Sequence, residues 1–158
     1  MKKLFLISFL LLSACGFSPL YKEASTQEGN VPVKVAPIPD QYGFSMRQII
    51  QNKLGNSSDS QYTLNVSAPT FSTWDQTIDD KNFATMMGIS GSVSYTLIEN
   101  KTHKEILNSS TSLTSSYSVV KDPYATTVAE RKVKKELSEQ LAEEVSLHVL
   151  VTLAGMHQ

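Results

Sequence analysis

Met87-Gly88-Ile89-Ser90-Gly91-Ser92-Val93-Ser94-Tyr95-Thr96-Leu97 is the stretch that decides the fold. Met87, Ile89, Gly91, Val93, Tyr95 and Leu97 alternate with Gly88, Ser90, Ser92, Ser94 and Thr96. A period of two belongs to a strand with one buried face, because successive side chains point to opposite sides. Glu99 to Glu105 is a polar turn. Beyond it, Leu107, Leu113, Tyr117 and Val119 continue one face of a further strand. Asn108, Ser110, Ser112, Thr114, Ser116 and Ser118 line the other. Two such runs joined by a short polar turn read as an antiparallel hairpin.

Working outward, Tyr62, Leu64, Val66 and Ala68 alternate with Thr63, Asn65 and Ser67, which gives a preceding strand. Val31, Val33 and Val35 make a short first strand, stopped by Pro37 and Pro39. Between these two, Ser45-Met46-Arg47-Gln48 reads as a capping box, with Phe44 and Ile49 as the flanking hydrophobic staple. Met46, Ile49, Ile50 and Leu54 fall on one helical face, and Gly55 ends the helix. Asp75, Asp79 and Asp80 read as part of a solvated hairpin loop.

At the C-terminal end, Asp122-Pro123 opens a second helix, with Asp as cap and Pro in the first turn. Thr127 to Glu130 offers a second capping box. Val133, Leu137, Leu141, Val145 and Val149 step by four, and charges from Arg131 to Glu144 fill the opposite side. A helix of about 28 residues would be roughly 42 Å long. The expected fold class is α+β: a four-stranded mixed sheet with two helices packed on one face, in the order β-α-β-β-β-α. The helical crossover makes the first two strands parallel. Leu137 and Leu141 should be buried. The other sheet face is lined with Ser, Thr and Asn, where solvated faces ordinarily mix in Lys and Glu. Such a neutral surface suits contact with another polar protein wall.

The N-terminus carries a different signal. Lys2-Lys3 and the apolar run Leu4 to Leu12 lead into Leu12-Ser13-Ala14-Cys15. A positive n-region, a short apolar h-region and small residues at the cut make a secretory signal over 1–14. The small-small-Cys ending looks like a bacterial lipobox, in which the thiol of Cys15 is acylated and becomes the mature N-terminus. Residues 15–30 then form a lipidated tether of roughly 20 Å end to end, and 31–158 form a single domain. An apolar run of this length is too short for a spanning helix, which needs about 20 residues. Gly16, where an Asp would commonly retain a lipoprotein at the inner membrane, favours the outer membrane.

Composition closes off several classes. The chain has 158 residues with 14 Lys and Arg against 15 Asp and Glu. Without Lys2 and Lys3 the net charge is −3, so no strong field points to nucleic acid. Cys15 is the only cysteine, so once it is acylated no thiol remains for a disulfide or a metal. His103, His148 and His157 share no ligand spacing. No serine sits in a nucleophile elbow, and Gly88 to Ser92 lies within a strand and is no phosphate loop. The chain reads as a non-enzyme without a cofactor.

Cys15-Gly16-Phe17-Ser18-Pro19-Leu20-Tyr21 resembles the mature start of the LptE family of lipopolysaccharide-assembly lipoproteins. Tyr124-Ala125, Val128-Ala129-Glu130-Arg131 and Leu141-Ala142 are similar to that family's last helix. The resemblance implies an outer-membrane lipoprotein, lipid-anchored on the periplasmic face. It further implies a plug within an LptD-type β-barrel, forming the translocon that inserts lipopolysaccharide into the outer leaflet. Large outer-membrane barrels have polar interiors that protein can plug. Strand topology brings Lys81 and Lys121 to one tip, where two ammonium groups suit the phosphates of lipopolysaccharide. Two other classes compete: an auxiliary lipoprotein of another lipid transport system, and a periplasmic lipoprotein enzyme. The second would need a base beside a nucleophile, and the chain offers no such pair.

Overall fold

The computed structural model describes residues 33–55, 60–80 and 83–156. Cys15, Lys81 and His157 lie outside the described residues, as do the signal segment and the tether. The elements are β1 (Val33–Val35), α1 (Gly43–Leu54), β2 (Tyr62–Val66), β3 (Thr70–Ile78), β4 (Ala84–Glu99), β5 (Glu105–Ser118) and α2 (Pro123–Met156). The class is α+β with a mixed sheet, as the alternation and helical periods predict. The sheet has five strands where the sequence suggested four.

The additional strand is β3, which occupies the segment read as a hairpin loop around Asp75. It does not widen the sheet. β2 pairs with the far end of β4, from Tyr62 opposite Glu99 to Val66 opposite Tyr95. β3 pairs with the near end of the same edge, from Thr70 opposite Ser92 to Ile78 opposite Ala84. The two strands therefore run end to end beside β4, broken at Pro69, which has no amide to donate. Ser67 carries the ladder across the break by donating its N–H to Ser94 O at 2.9 Å. β1 is parallel to β2, and β5 is antiparallel to β4 along nearly its whole length.

Helix starts differ from the sequence reading. α1 begins at Gly43, two residues ahead of the expected cap, with no side-chain cap at Tyr42. A turn at Asp40 (φ 84°) delivers the chain there, closed by Gly43 N–H donating to Asp40 O at 3.1 Å. Ser45 is thus inside the helix, and its hydroxyl donates to Tyr42 O at 2.9 Å. The capping box does not form. The staple does not form either, since Phe44 is 68% exposed. For α2 the first of the two candidate starts prevails: Asp122 Oδ1 accepts the Tyr124 N–H at 2.9 Å. Thr127 lies within the helix and donates to Pro123 O at 2.9 Å, so it caps nothing. The helix runs 34 residues, roughly 51 Å, longer than expected.

Both helices cover one sheet face. Met46, Ile50 and Leu54 of α1 and Leu141, Val145, Val149 and Leu153 of α2 meet Leu64, Val93, Tyr95 and Leu97 of the sheet in the main core. Ile89, Tyr117, Val133 and Leu137 form a smaller cluster nearer the start of α2. A Cβ at Gly91 would lie 3.1 Å from Phe71 and 3.3 Å from Leu141, so its lack of a side chain admits α2 to the sheet. Ser138 and Ser146 are buried in α2, with each hydroxyl returned at 2.7 Å to a carbonyl four residues back. Among the described residues no buried side-chain polar atom lacks a partner. None of the described helices is long and apolar enough to cross a membrane.

Candidate partner interface

The face of the sheet opposite the helices carries the hydroxyl pattern predicted for it. Thr70 and Ser72 from β3, Ser90, Ser92 and Ser94 from β4, and Ser110, Ser112 and Thr114 from β5 share one surface through the ladder registers. No charged residue occurs in β4 from Ala84 to Ile98 or in β5 from Ile106 to Ser118. Neighbouring hydroxyls bond to each other: Thr70 Oγ1 lies 2.8 Å from Ser92 Oγ. Ser67 Oγ accepts the Ser94 N–H at 3.0 Å. A shallow groove of about 300 Å³ opens among Ser67, Thr70, Ser92, Ser94, Ser110 and Ser112. Trp74 is the large side chain here. It lies over Gly88, where a Cβ would come within 2.2 Å of the indole. The arrangement offers hydrogen-bond donors and acceptors without charge.

The tip of the sheet is of another character. The β3–β4 connection is closed by a reciprocal pair: Asp79 N–H donates to Phe83 O, and Asp79 Oδ1 accepts the Phe83 N–H, both at 2.9 Å. The end of β5 comes alongside through the Val119 N–H, which donates to Thr85 O at 3.0 Å. Asp79, Phe83, Thr85, Val119, Val120 and Lys121 line a cleft of about 630 Å³. Phe83 is 68% exposed and Tyr124 76%, and Ile78, Val120 and Val128 are also exposed. Lys121 is exposed at this tip, where the sequence reading put it. Lys81 falls outside the described residues, so the pair itself is not described. The sequence reading missed the apolar lining. Phe83 follows a polar loop and Val120 trails a strand, so neither stands in a periodic pattern.

The titratable groups are dispersed over the fold. His148 Nδ1 lies 2.5 Å from the Tyr95 hydroxyl, joining α2 to β4. His103 sits in the β4–β5 turn with φ 56°. Tyr117 has its pKa raised above the ordinary 10.0, first by burial and then by Glu130, with Lys134 opposing. No group of three metal-binding side chains occurs among the described residues.

No protein-family model matches the chain. No curated protein matches it either. Its fold does match solved structures. Rare lipoprotein B from Shewanella oneidensis superimposes with a TM-score of 0.65 at 9% identity, covering 80% of this chain and 98% of that one. Lipoprotein B from Nitrosomonas europaea, described as uncharacterized, gives 0.63 at 11% identity, covering 82% and 92%. At such identities the similarity is one of fold. The chain carries a fold that lipoproteins share, over nearly the full length of those relatives.

Proposed function

We propose that this protein is an outer-membrane lipoprotein of the LptE type, anchored through Cys15 on the periplasmic face. It acts as the plug and partner subunit of an LptD-type β-barrel in lipopolysaccharide transport and assembly. It has no catalytic role. The observation that carries the reading is the uncharged hydroxyl face of β3, β4 and β5, left open by both helices. A polar barrel lumen satisfies such a face by hydrogen bonds, without the desolvation cost of burying charge. The lipobox, the resemblance around Cys15 to Tyr21 and the lipoprotein fold support it. Lys121 at the tip, together with Lys81, binds phosphates of lipopolysaccharide, and the apolar cleft beside Lys121 receives its acyl chains.

Purification of the full chain from detergent-solubilised outer membranes tests this. An LptD-type barrel should accompany it, and a photocrosslinker at Ser92 should capture that barrel. A correctly localised protein that captures no barrel sinks the reading. For the tip, Lys81→Asp combined with Lys121→Asp should weaken lipopolysaccharide binding at low salt, where charge contacts count most. Unchanged affinity there removes the site. Mass spectrometry of the native protein should find lipid on Cys15, and an unmodified thiol would remove the anchor.

A further inference from the structure

The outer side of α2 changes character along its length. As far as Glu144 it is charged, with Lys132 and Glu136 paired at 3.7 Å and Glu143 paired with Lys53 at 3.5 Å. From Val145 to Met156 it carries no Asp, Glu, Lys or Arg. Val145, Val149 and Leu153 of this run are buried against the sheet. Leu147, Leu150, Val151 and Met156 are 58%, 38%, 61% and 47% exposed. Leu147, Leu150, Val151 and Ala154 follow the i, i+3, i+4, i+7 spacing of one helical face, so they form a stripe turned away from the core. Large apolar side chains gathered on a surface mark a contact. An uncharged run of twelve residues is too short to cross a bilayer, and at that length it suits a buried helix or an interfacial one. The outer side of this run is exposed, so it is not a buried helix.

The sheet registers put this stripe at the end where the lipidated segment joins the body. The Tyr95 hydroxyl lies 2.5 Å from His148 Nδ1 and ties α2 to β4 at that level. β4 then continues four residues to Glu99, about 13 Å. α2 continues eight residues to Met156, about 12 Å. The two therefore end together. Val33 pairs with Tyr62, and Tyr62 pairs with Glu99, so the described chain begins at this same end. Cys15 precedes it, and the opposite tip stands the length of α2 away, roughly 51 Å. A helix of that length also exceeds the apolar band of an outer-membrane barrel, roughly 25 Å tall, so one end of the body stands clear of the barrel wall. Among the described residues, Lys34, Lys101 and Lys104 share this end with Glu99 and Glu105, and the acidic residues of α2 stop at Glu144. No acidic field here repels phosphate headgroups.

We propose that the outer face of the last three turns of α2 is a second membrane contact, in which Leu147, Leu150, Val151 and Met156 rest in the headgroup region of the leaflet that holds the acylated Cys15. The acyl chains supply the attachment. The stripe fixes the tilt of the body, as an interfacial helix does when its apolar face sinks about 5–10 Å into the headgroup boundary. Contact on the helical side leaves the hydroxyl face, across the sheet, free for a partner. The inference rests on the anchor reading above and adds which surface of the body faces lipid.

The test uses the full lipidated chain in vesicles of phosphatidylethanolamine and phosphatidylglycerol. Cys15 is the only native thiol, so with it acylated Val151→Cys gives a single site for an environment-sensitive fluorophore. Gln140→Cys, exposed on the same outer side about 16 Å nearer the tip, is the control. Nitroxide-labelled lipid should quench the probe at Val151 at least about twofold more than at Gln140, as burial at the headgroup boundary requires. Should the label at Val151 disturb the fold, Leu147→Cys gives the same reading one turn earlier. Equally weak quenching at both positions, in a chain that floats with the vesicles, overturns the proposal. A blue shift at Val151 without quenching by lipid assigns the stripe to a second copy of the chain or to another protein, and overturns it as well. If the native chain does not float with the vesicles, the anchor reading itself has failed and the proposal falls with it.

Discussion

At the end of β4 that holds Val93, Tyr95 and Leu97, β1, β2, α1 and the C-terminal half of α2 enclose one continuous core. At the end that holds Met86 to Ile89, the cover is the first turns of α2, over Ile89, Tyr117, Val133 and Leu137. β3 is exposed along all its length except at Phe71. That ring is gripped from the helical side, edge-on by Tyr42 at 5.5 Å and by Lys134 Nζ at 5.7 Å. Ile78, Phe83, Val120 and Tyr124 stand exposed at the same end. One end of the molecule spends its apolar residues on stability, and the other presents them outward. Large apolar side chains gathered on a surface mark a site of interaction. The helices thus bury most of their apolar surface at one end of the sheet and leave the apolar side chains of the other end exposed.

The sharpest way to break the comparison is to cut cavities at both ends. Leu141 is fully buried in the main core and Leu137 in the smaller cluster. Leu141→Ala should cost about 3–5 kcal/mol and Leu137→Ala about 2–3 kcal/mol, since the looser end collapses more readily around the void. Urea unfolding of both variants measures this. A larger loss at Leu137 would reverse the assignment of the two ends.

Gly88→Ala probes the exposed end from the hydroxyl face. The new methyl would overlap the Trp74 indole, and overpacking of this kind costs about 1–3 kcal/mol. Trp74 is the chain's only tryptophan, so its fluorescence should shift to the red as the ring is displaced. An unchanged spectrum would mean that the indole does not rest on Gly88.

Phe83→Ser should leave stability within about 0.5 kcal/mol, because the ring is mostly exposed. Its effect should appear in lipopolysaccharide binding by the soluble body. Loss of stability without loss of binding would make the tip structural.

The smallest effect belongs to Tyr117. Burial and Glu130 raise its pKa in the folded state above 10.0. A raised pKa means that folding favours the protonated phenol. The contribution is complete below pH 10 and is lost as pH climbs through the folded value. The stability difference between the native chain and Tyr117→Phe should therefore be flat at neutral pH and change only in that alkaline window. A change near pH 7 would contradict the assignment.

Much of this fold was legible because two periods are hard to counterfeit. The alternation from Met87 to Leu97 and the four-residue steps from Val133 to Val149 placed β4 and α2, their buried faces and the polar outer face. Asp122 announced its cap by residue type. β3 was illegible for a physical reason: with one residue partly buried, it has no apolar alternation to show. It is a strand because β4 begins at Ala84 and offers it a ladder. The capping box at Ser45 failed because the turn at Asp40 set the helix start first.

The candidate surfaces divide in the same way. Residue type and period were enough to read the hydroxyl face of the sheet, and residue type alone raises the expectation of a lipobox at Cys15. It took the tertiary structure to show that Phe83, Val120 and Lys121 share a cleft, that Trp74 covers Gly88, and that among the described residues β5 pairs with β4 alone. Periodicity records which way a side chain points relative to its own backbone. Which residues meet across a sheet, and which edge is left unpaired, depends on register between strands distant in sequence, and no local pattern carries that information.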